Sequence, residues 1–378
     1  MIGRSISVSA PNTVEAARCQ LAATPRQAHR QNNFDFLRLI GAVLVIYGHA
    51  YPLTGSVSPG FAGNGIATVG VKIFFVISGY LVALSWLRDG NLARFFFRRC
   101  LRIFPALVAV VLLTVVVLGP VLTTQPLSAY FNNPLVTFYL RNIALYINYS
   151  LPGVFEHNVY PNAVNGSLWS LPAEFFMYLL TPILLARVVN FHKFTFVLIT
   201  AMFVVLSLLL THAMPRSSQL VIYATDVWSW LQVAPYFVIG AAVALYRLER
   251  LMNIYVAFIG LLALAVFDTN ATVKEAMLMM VLPYACLSFG LGYAPIFEKI
   301  TRGNDLSYGV FLAGFPVEQI ISATLGPQIG PWSECAIALL ICLGLAYLSW
   351  NLVERPILAW KPGRREARTE EIATPLPG

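Results

Sequence analysis

The chain is short of charge. Of its 378 residues only 11% are Asp, Glu, Lys or Arg, whereas 58% are hydrophobic, and an ordinary soluble domain carries roughly 25% charged residues. That deficit excludes a soluble globular fold. Cysteine is scarce as well: Cys19, Cys100, Cys286, Cys335 and Cys342 are scattered, without the close pairs of a zinc site or the even spacing of a disulfide framework. No internal repeat of the kind that builds inverted transporter halves is visible. The first 33 residues contain no apolar run of the sort a cleaved signal peptide needs. They read as a loosely ordered cytoplasmic tail, and the charged, then Pro-rich residues 359–378 read as a second one.

What the chain has in plenty is apolar segments of membrane length. About 20 residues are needed to cross a hydrocarbon core of about 30 Å, and such segments lie near 36–54, 69–88, 101–122, 169–189, 194–211, 230–248, 253–268, 274–293, 307–326 and 333–354. The fold class expected is an all-α integral membrane protein, a bundle of about ten transmembrane helices occupying residues 34–358. The stretch 134–150 carries Arg141, Asn142 and Asn148 and reads as an interfacial helix instead.

Basic residues orient the bundle. With the N-terminus in the cytoplasm, inner segments hold twenty of the 25 Lys and Arg residues, and outer segments hold only Arg141, Arg216 and Lys274. This is the positive-inside pattern. The formal net charge of +8 therefore reflects topology in a lipid bilayer, and no nucleic-acid partner is expected.

The first span, "FDFLRLIGAVLVIYGH", carries ionisable groups where they are costly. Arg38 and His49 are eleven residues apart, about three helical turns, so they share a face about 16 Å apart along the axis. Asp35, three residues before Arg38, can pair with it. Arg38 alone would also suit a snorkelling anchor. A histidine inside a span faces a polar cavity or a buried partner.

Three further stretches carry chemistry. In "GVKIFFVISGY", Gly70, Ser78 and Gly79 allow close helix approach; Ser78 also offers a hydroxyl to a cavity, and Lys72 can snorkel. In "RFFFRRCLRIFP", Arg94, Arg98 and Arg102 recur every four residues with Arg99 beside them. Such a cluster suits phosphates, which guanidinium forks bind in pairs, and equally suits anionic lipid. The segment 123–168 is rich in Asn and aromatics, among them Tyr160 and Asn165, a composition that fits sugars or an interfacial belt. It leads through Trp169 into "SLPAEFFMYLL", where Ser170 can cap a helix and Glu174 falls about one turn inside the membrane, at a depth that would let it orient His49.

Taken together, "FDFLRLIGAVLVIYGH", "GVKIFFVISGY", "RRCLRIFP", "NGSLWSLPAEFFMY", "DLSYGVFL" and "NLVERP" resemble the membrane-bound acyltransferase-3 family over residues 32–358. The resemblance implies an inner-membrane, multi-pass enzyme that transfers an acyl group, most often acetyl, to a hydroxyl of a carbohydrate such as an O-antigen or exopolysaccharide. It implies an essential His49 and Arg38, a second arginine pair at Arg99 and Arg102, and an acidic position at Glu174. One departure is that Gly314 stands where many members have a histidine. The catalytic residues expected are therefore His49, Glu174 and Asp35. Arg38, Arg98, Arg99 and Arg102 are expected to bind the donor, acetyl-CoA or another acyl-CoA, with no permanently bound cofactor or metal. Ser78, Tyr160, Asn165 and Trp169 are expected to contact the acceptor. A sugar or lipid-linked glycan flippase and a membrane scaffold with a basic inner face are the rival readings.

Overall fold

A computed structural model describes residues 32–190, 194–213, 220–301 and 304–360. Most of the two expected tails therefore lies outside the described residues. Within them the backbone is mostly helical, with two short antiparallel hairpins, and helices satisfy the N–H and C=O groups that have no water to bond inside a bilayer. In chain order the principal helices are α1 (Phe34–Leu53), α2 (Ile66–Arg88), α3 (Leu92–Leu113), α4 (Ser170–Asn190) and α5 (Phe194–Ala213). They continue with α6 (Val227–Tyr246), α7 (Ile254–Val266), α8 (Ala271–Leu291), α9 (Ser307–Leu325) and α10 (Pro331–Ser349).

Each expected span coincides with one of these helices. Among the described residues, eight are long and apolar enough to cross a membrane; α7 and the apolar part of α5, Phe194–Leu210, are shorter. The 13 residues of α7 extend only about 20 Å at 1.5 Å per residue. The segment expected at the interface, 134–150, begins with the short helix Pro134–Leu140 and a 3₁₀ turn at Arg141–Ala144 and is not helical beyond them; another short helix, Leu127–Asn132, precedes it.

The third span begins earlier than its hydropathy suggests. Asn91 caps α3 by accepting from the Arg94 N–H, so the arginine-rich stretch and the apolar run form one helix. It continues through a π-helical turn at Thr114–Leu118 to Leu122. A second π-helical turn, Trp350–Glu354, extends α10.

Small residues set the packing. Any Cβ at Gly79 of α2 would collide with the Phe237 backbone of α6, and one at Gly70 would meet the carbonyl of Gly41 in α1. Backbone contact this close is the usual role of glycine between membrane helices. Lys72, expected to snorkel, is instead fully buried. Its ammonium donates to Glu275 of α8 and to Asn64, both at 2.7 Å, and lies 4.7 Å from the centre of the Tyr236 ring of α6. Tyr236 in turn donates to Glu275 at 3.0 Å. A charge that cannot reach water must be paired, and this network ties α2, α6 and α8 together.

The Asn-rich outer segment is mostly self-absorbed. Asn142 exchanges bonds with the backbone of Asn148, Asn133 caps the helix that follows it, and Asn158 bonds Gln319 of α9. These amides shape the backbone, as Asx turns and caps do, so the composition that suggested sugar binding has a largely local cause.

Candidate functional site

Among the described residues, two chambers with polar groups in their walls open between the helices, and α1 lines both. The first, the arginine chamber, has a volume of about 400 Å³. Asp35 and Arg38 enter it from α1, Ser78 from α2, Arg99 and Arg102 from α3, and Glu174 and Tyr178 from α4. Asp305, just ahead of α9, is its centre of charge. The Asp305 carboxylate accepts from Arg38 at 3.2 Å and from Arg102 at 2.5 Å, while its other oxygen accepts from the Ser307 hydroxyl. Arg38 also donates to Asp35 at 2.9 Å, as the three-residue spacing predicts. Burial alone would raise the Asp305 carboxyl, but the Arg102 and Arg38 charges and the Ser307 hydroxyl outweigh it and hold it below the usual carboxylate range.

The arginine cluster divides by helical phase. Arg99 and Arg102, three residues apart, share the face that meets the chamber. Arg99 lies between the rings of Phe95 and Tyr178, 6.0 and 5.7 Å from their centres, and its Nε is buried with no hydrogen-bond partner among the described residues. Arg98 turns away with Arg94, four residues earlier, and both pair with Asp89 at 2.8 Å. The hydrogen bond from Arg94, with that from Arg98, holds Asp89 below the usual carboxylate range. Arg98 therefore does not line the chamber, contrary to its expected place in a donor-binding cluster.

Glu174 also has different company from that expected. It accepts from the hydroxyls of Ser78 and Tyr178, each at 2.5 Å, and lies in the arginine chamber. It makes no contact with His49 among the described residues. Ser78 is thus a partner of Glu174 and does not face the His49 side. The reason is azimuth: Glu174 and Tyr178 are i and i+4 on α4 and face α2 together, whatever depth Glu174 shares with His49.

The second chamber, the histidine chamber, has a volume of about 750 Å³. His49, Tyr160 and Trp169 line it with Phe315 of α9 and the hairpin Val221–Asp226. His49 stands edge-on to Phe315, ring centres 5.2 Å apart, and Phe315 packs edge-on to Tyr160. Its Nδ1 is buried, 3.7 Å from an oxygen of Glu318 on α9. The side chain is 17% exposed, so its accessible edge is the one bearing Nε2. Tyr223 and Ala224, at the hairpin tip, both hold left-handed φ angles, 51° and 54°. Asn165 is not in this chamber: it is fully buried, donating to the Leu312 carbonyl at 2.9 Å and accepting from the Ser167 N–H. It turns the backbone so that Trp169 and Ser170 follow in helical register.

The chambers stand back to back. Trp169 faces the histidine chamber and Ser170 the arginine chamber; Phe315 of α9 faces the histidine chamber, and Phe311, one turn earlier, the arginine chamber. Phe311 packs edge-on to Phe74 of α2, centres 5.8 Å apart, closing that end of the arginine chamber.

Asp305 and Glu318 were not foreseen as site residues. Asp305 stood inside the quoted stretch "DLSYGVFL". Glu318 is a carboxylate within the apolar run "FLAGFPVEQII", and an ionisable residue inside a span is a site candidate by default.

An acyltransferase domain model, that of the acyltransferase-3 family, matches residues 31–351. An O-acetyl transferase of Shigella phage Sf6 is 31% identical over 338 residues, covering 87% of this chain and 97% of that protein. Nodulation protein 10 of Rhizobium leguminosarum bv. viciae is 30% identical over 362 residues, covering 87% of this chain and 94% of its own. No solved structure matches the chain.

Proposed function

The chain belongs to the acyltransferase-3 family and is a membrane acyltransferase; from that premise we propose that it moves an acyl group, acetyl by preference, from cytoplasmic acyl-CoA to a hydroxyl of a cell-surface or exported carbohydrate at the inner membrane. The observation that carries this reading is the pair of back-to-back chambers, one rich in arginine and the other holding an accessible imidazole.

The donor's phosphates suit the arginine chamber. Arg99 has an unpartnered buried donor, and Arg38 and Arg102 already converge on one carboxylate, as they would on a phosphate oxygen. The acyl arm would then run along α1, past Phe74 and Phe311, toward His49. The basic residues of the sequence favour the cytoplasm for the arginine end.

The acceptor suits the histidine chamber, where Tyr160 and Trp169 offer flat apolar faces. A sugar hydroxyl attacks a thioester poorly unless a base takes its proton as the bond forms. In the proposed step the hydroxyl oxygen bonds to the acyl carbon, the carbon–sulfur bond breaks, and the hydroxyl proton passes to His49 Nε2. The same proton then neutralises the departing CoA thiolate. The name of the phage relative, an O-acetyl transferase, supports acetyl as the group and oxygen as its destination.

Membranes containing the protein, given acetyl-CoA labelled in the acetyl group and a set of bacterial glycans, should release CoA and label a glycan together. Label that stays in acetyl-CoA with every glycan, while glycan crosses the bilayer, would contradict the proposal and favour a flippase.

A further inference from the structure

Glu318 is a carboxylic acid beside the reacting imidazole that the acyl-transfer scheme leaves without a task. It is fully buried, and neither of its carboxyl oxygens has a hydrogen-bond partner among the described residues. An unsatisfied carboxyl inside a membrane bundle is costly, so its position calls for a cause. One of its oxygens lies 3.7 Å from the Nδ1 of His49, which is itself buried and without a hydrogen-bond partner among the described residues. That separation exceeds a hydrogen bond, but two mutually facing, otherwise unpartnered atoms need only a small side-chain adjustment to join, and catalytic hydrogen bonds commonly tighten when substrate binds.

The local build of α9 aims Glu318 at this ring. Phe315 and Glu318 are three residues apart and share a face, so one packs on the imidazole edge while the other meets Nδ1. Gly314 lets α9 approach α1, since a Cβ there would lie 3.0 Å from Ile46. Beyond Glu318, Gln319 donates to the carbonyls of Tyr160 and Ala163, and Ser322 donates to that of Leu53 in α1. The helix is thus pinned on both sides of the carboxyl.

A neutral imidazole carries one N–H, and the nitrogen that holds it is set by what the other atoms bond. We propose that Glu318 is a positioning residue: it accepts the Nδ1–H of His49, fixing the tautomer whose Nε2 lone pair faces the histidine chamber. When Nε2 takes the acceptor's proton, the resulting cation has a carboxyl at its back. This inference rests on His49 being the base of the proposed reaction.

The test has two parts. In protein labelled with ¹⁵N-histidine and held in detergent micelles, with the His49 signals assigned by difference from His49→Gln, the wild type should show the Nδ1–H tautomer at neutral pH. Glu318→Leu should show a mixture or the Nε2–H form. In transfer assays Glu318→Leu should lower kcat by roughly 10²- to 10⁴-fold, the scale of a misplaced tautomer, with KM for donor and acceptor within about twofold. Glu318→Gln, whose amide oxygen still accepts from Nδ1, should recover part of the loss. An Nε2–H tautomer in the wild type, or a Glu318→Leu enzyme with unchanged kcat, would overturn the proposal. If His49→Ala remains active, the base assignment fails, while the spectra still decide whether Glu318 sets the tautomer.

Discussion

The two chambers share α1 and α9, yet they satisfy their polar groups in opposite ways. In the arginine chamber charge is answered by charge: Asp305 holds Arg38 and Arg102 in one place, and Glu174 is closed by two hydroxyls. Behind the histidine chamber the Nδ1 of His49 and both carboxyl oxygens of Glu318 have no hydrogen-bond partner among the described residues. The first arrangement keeps a binding surface in shape. The second leaves the imidazole open to take a proton, as the proposed base requires. On the proposed reading, binding belongs to one end of α1 and chemistry to the other.

Substitutions at each end should therefore fail in different ways. The largest effect belongs to His49→Ala: transfer should drop by roughly 10³-fold or more, the upper range for a lost general base, as measured by acetyl release from labelled acetyl-CoA. Arg102→Ala comes next, because it strips a buried carboxylate of its shortest ion pair. Breaking such a pair costs about 3 kcal/mol or more, so thermal unfolding in detergent should begin at a lower temperature and KM for acyl-CoA should rise.

A sharper contrast lies within α3. Arg99→Ala should raise KM for acyl-CoA about tenfold, the worth of one charge-assisted hydrogen bond. Arg98→Ala, which removes a contact with Asp89 away from the chamber, should change KM by less than about twofold. In steady-state kinetics the two neighbours should separate cleanly. Trp169→Ala should raise KM for the glycan several-fold and leave that for acyl-CoA alone, since Trp169 faces only the histidine chamber.

The smallest effect concerns pH. Asp305 is held below its ordinary range in the fold, so its ion pairs contribute fully above the unfolded carboxylate value of about 3.9. That contribution is lost only as pH falls through the lower folded value. Acyl-CoA binding, followed by equilibrium dialysis, should owe no change to Asp305 between about pH 5 and 8.

The sequence made some of this plain and hid the rest for identifiable reasons. The Asp35, Arg38 and His49 stripe was legible because residues along one helix have a fixed geometry. The partners of that stripe were not, because they depend on the rotation of other helices. Glu174 was expected beside His49, yet it faces α2 in the arginine chamber, and Glu318 takes the place beside the ring. Arg98 and Arg99 are adjacent in the chain and point to different sites, since one residue turns a helix by about 100°. Asn165 looked like a sugar ligand and proved to be a backbone cap, a role that amide side chains fill whenever a turn is nearby. Lys72 stands near a span's end, where snorkelling is the default, but Glu275 from a distant segment draws it inward.

The division of labour along α1 is tested most directly by measuring binding apart from turnover. Purified wild type, His49→Ala and Arg102→Ala proteins in detergent micelles should be titrated with labelled acetyl-CoA in the absence of glycan. His49→Ala should bind the donor as the wild type does, and Arg102→Ala should lose binding. Loss of donor binding in His49→Ala, or full binding in Arg102→Ala, would contradict this division of labour.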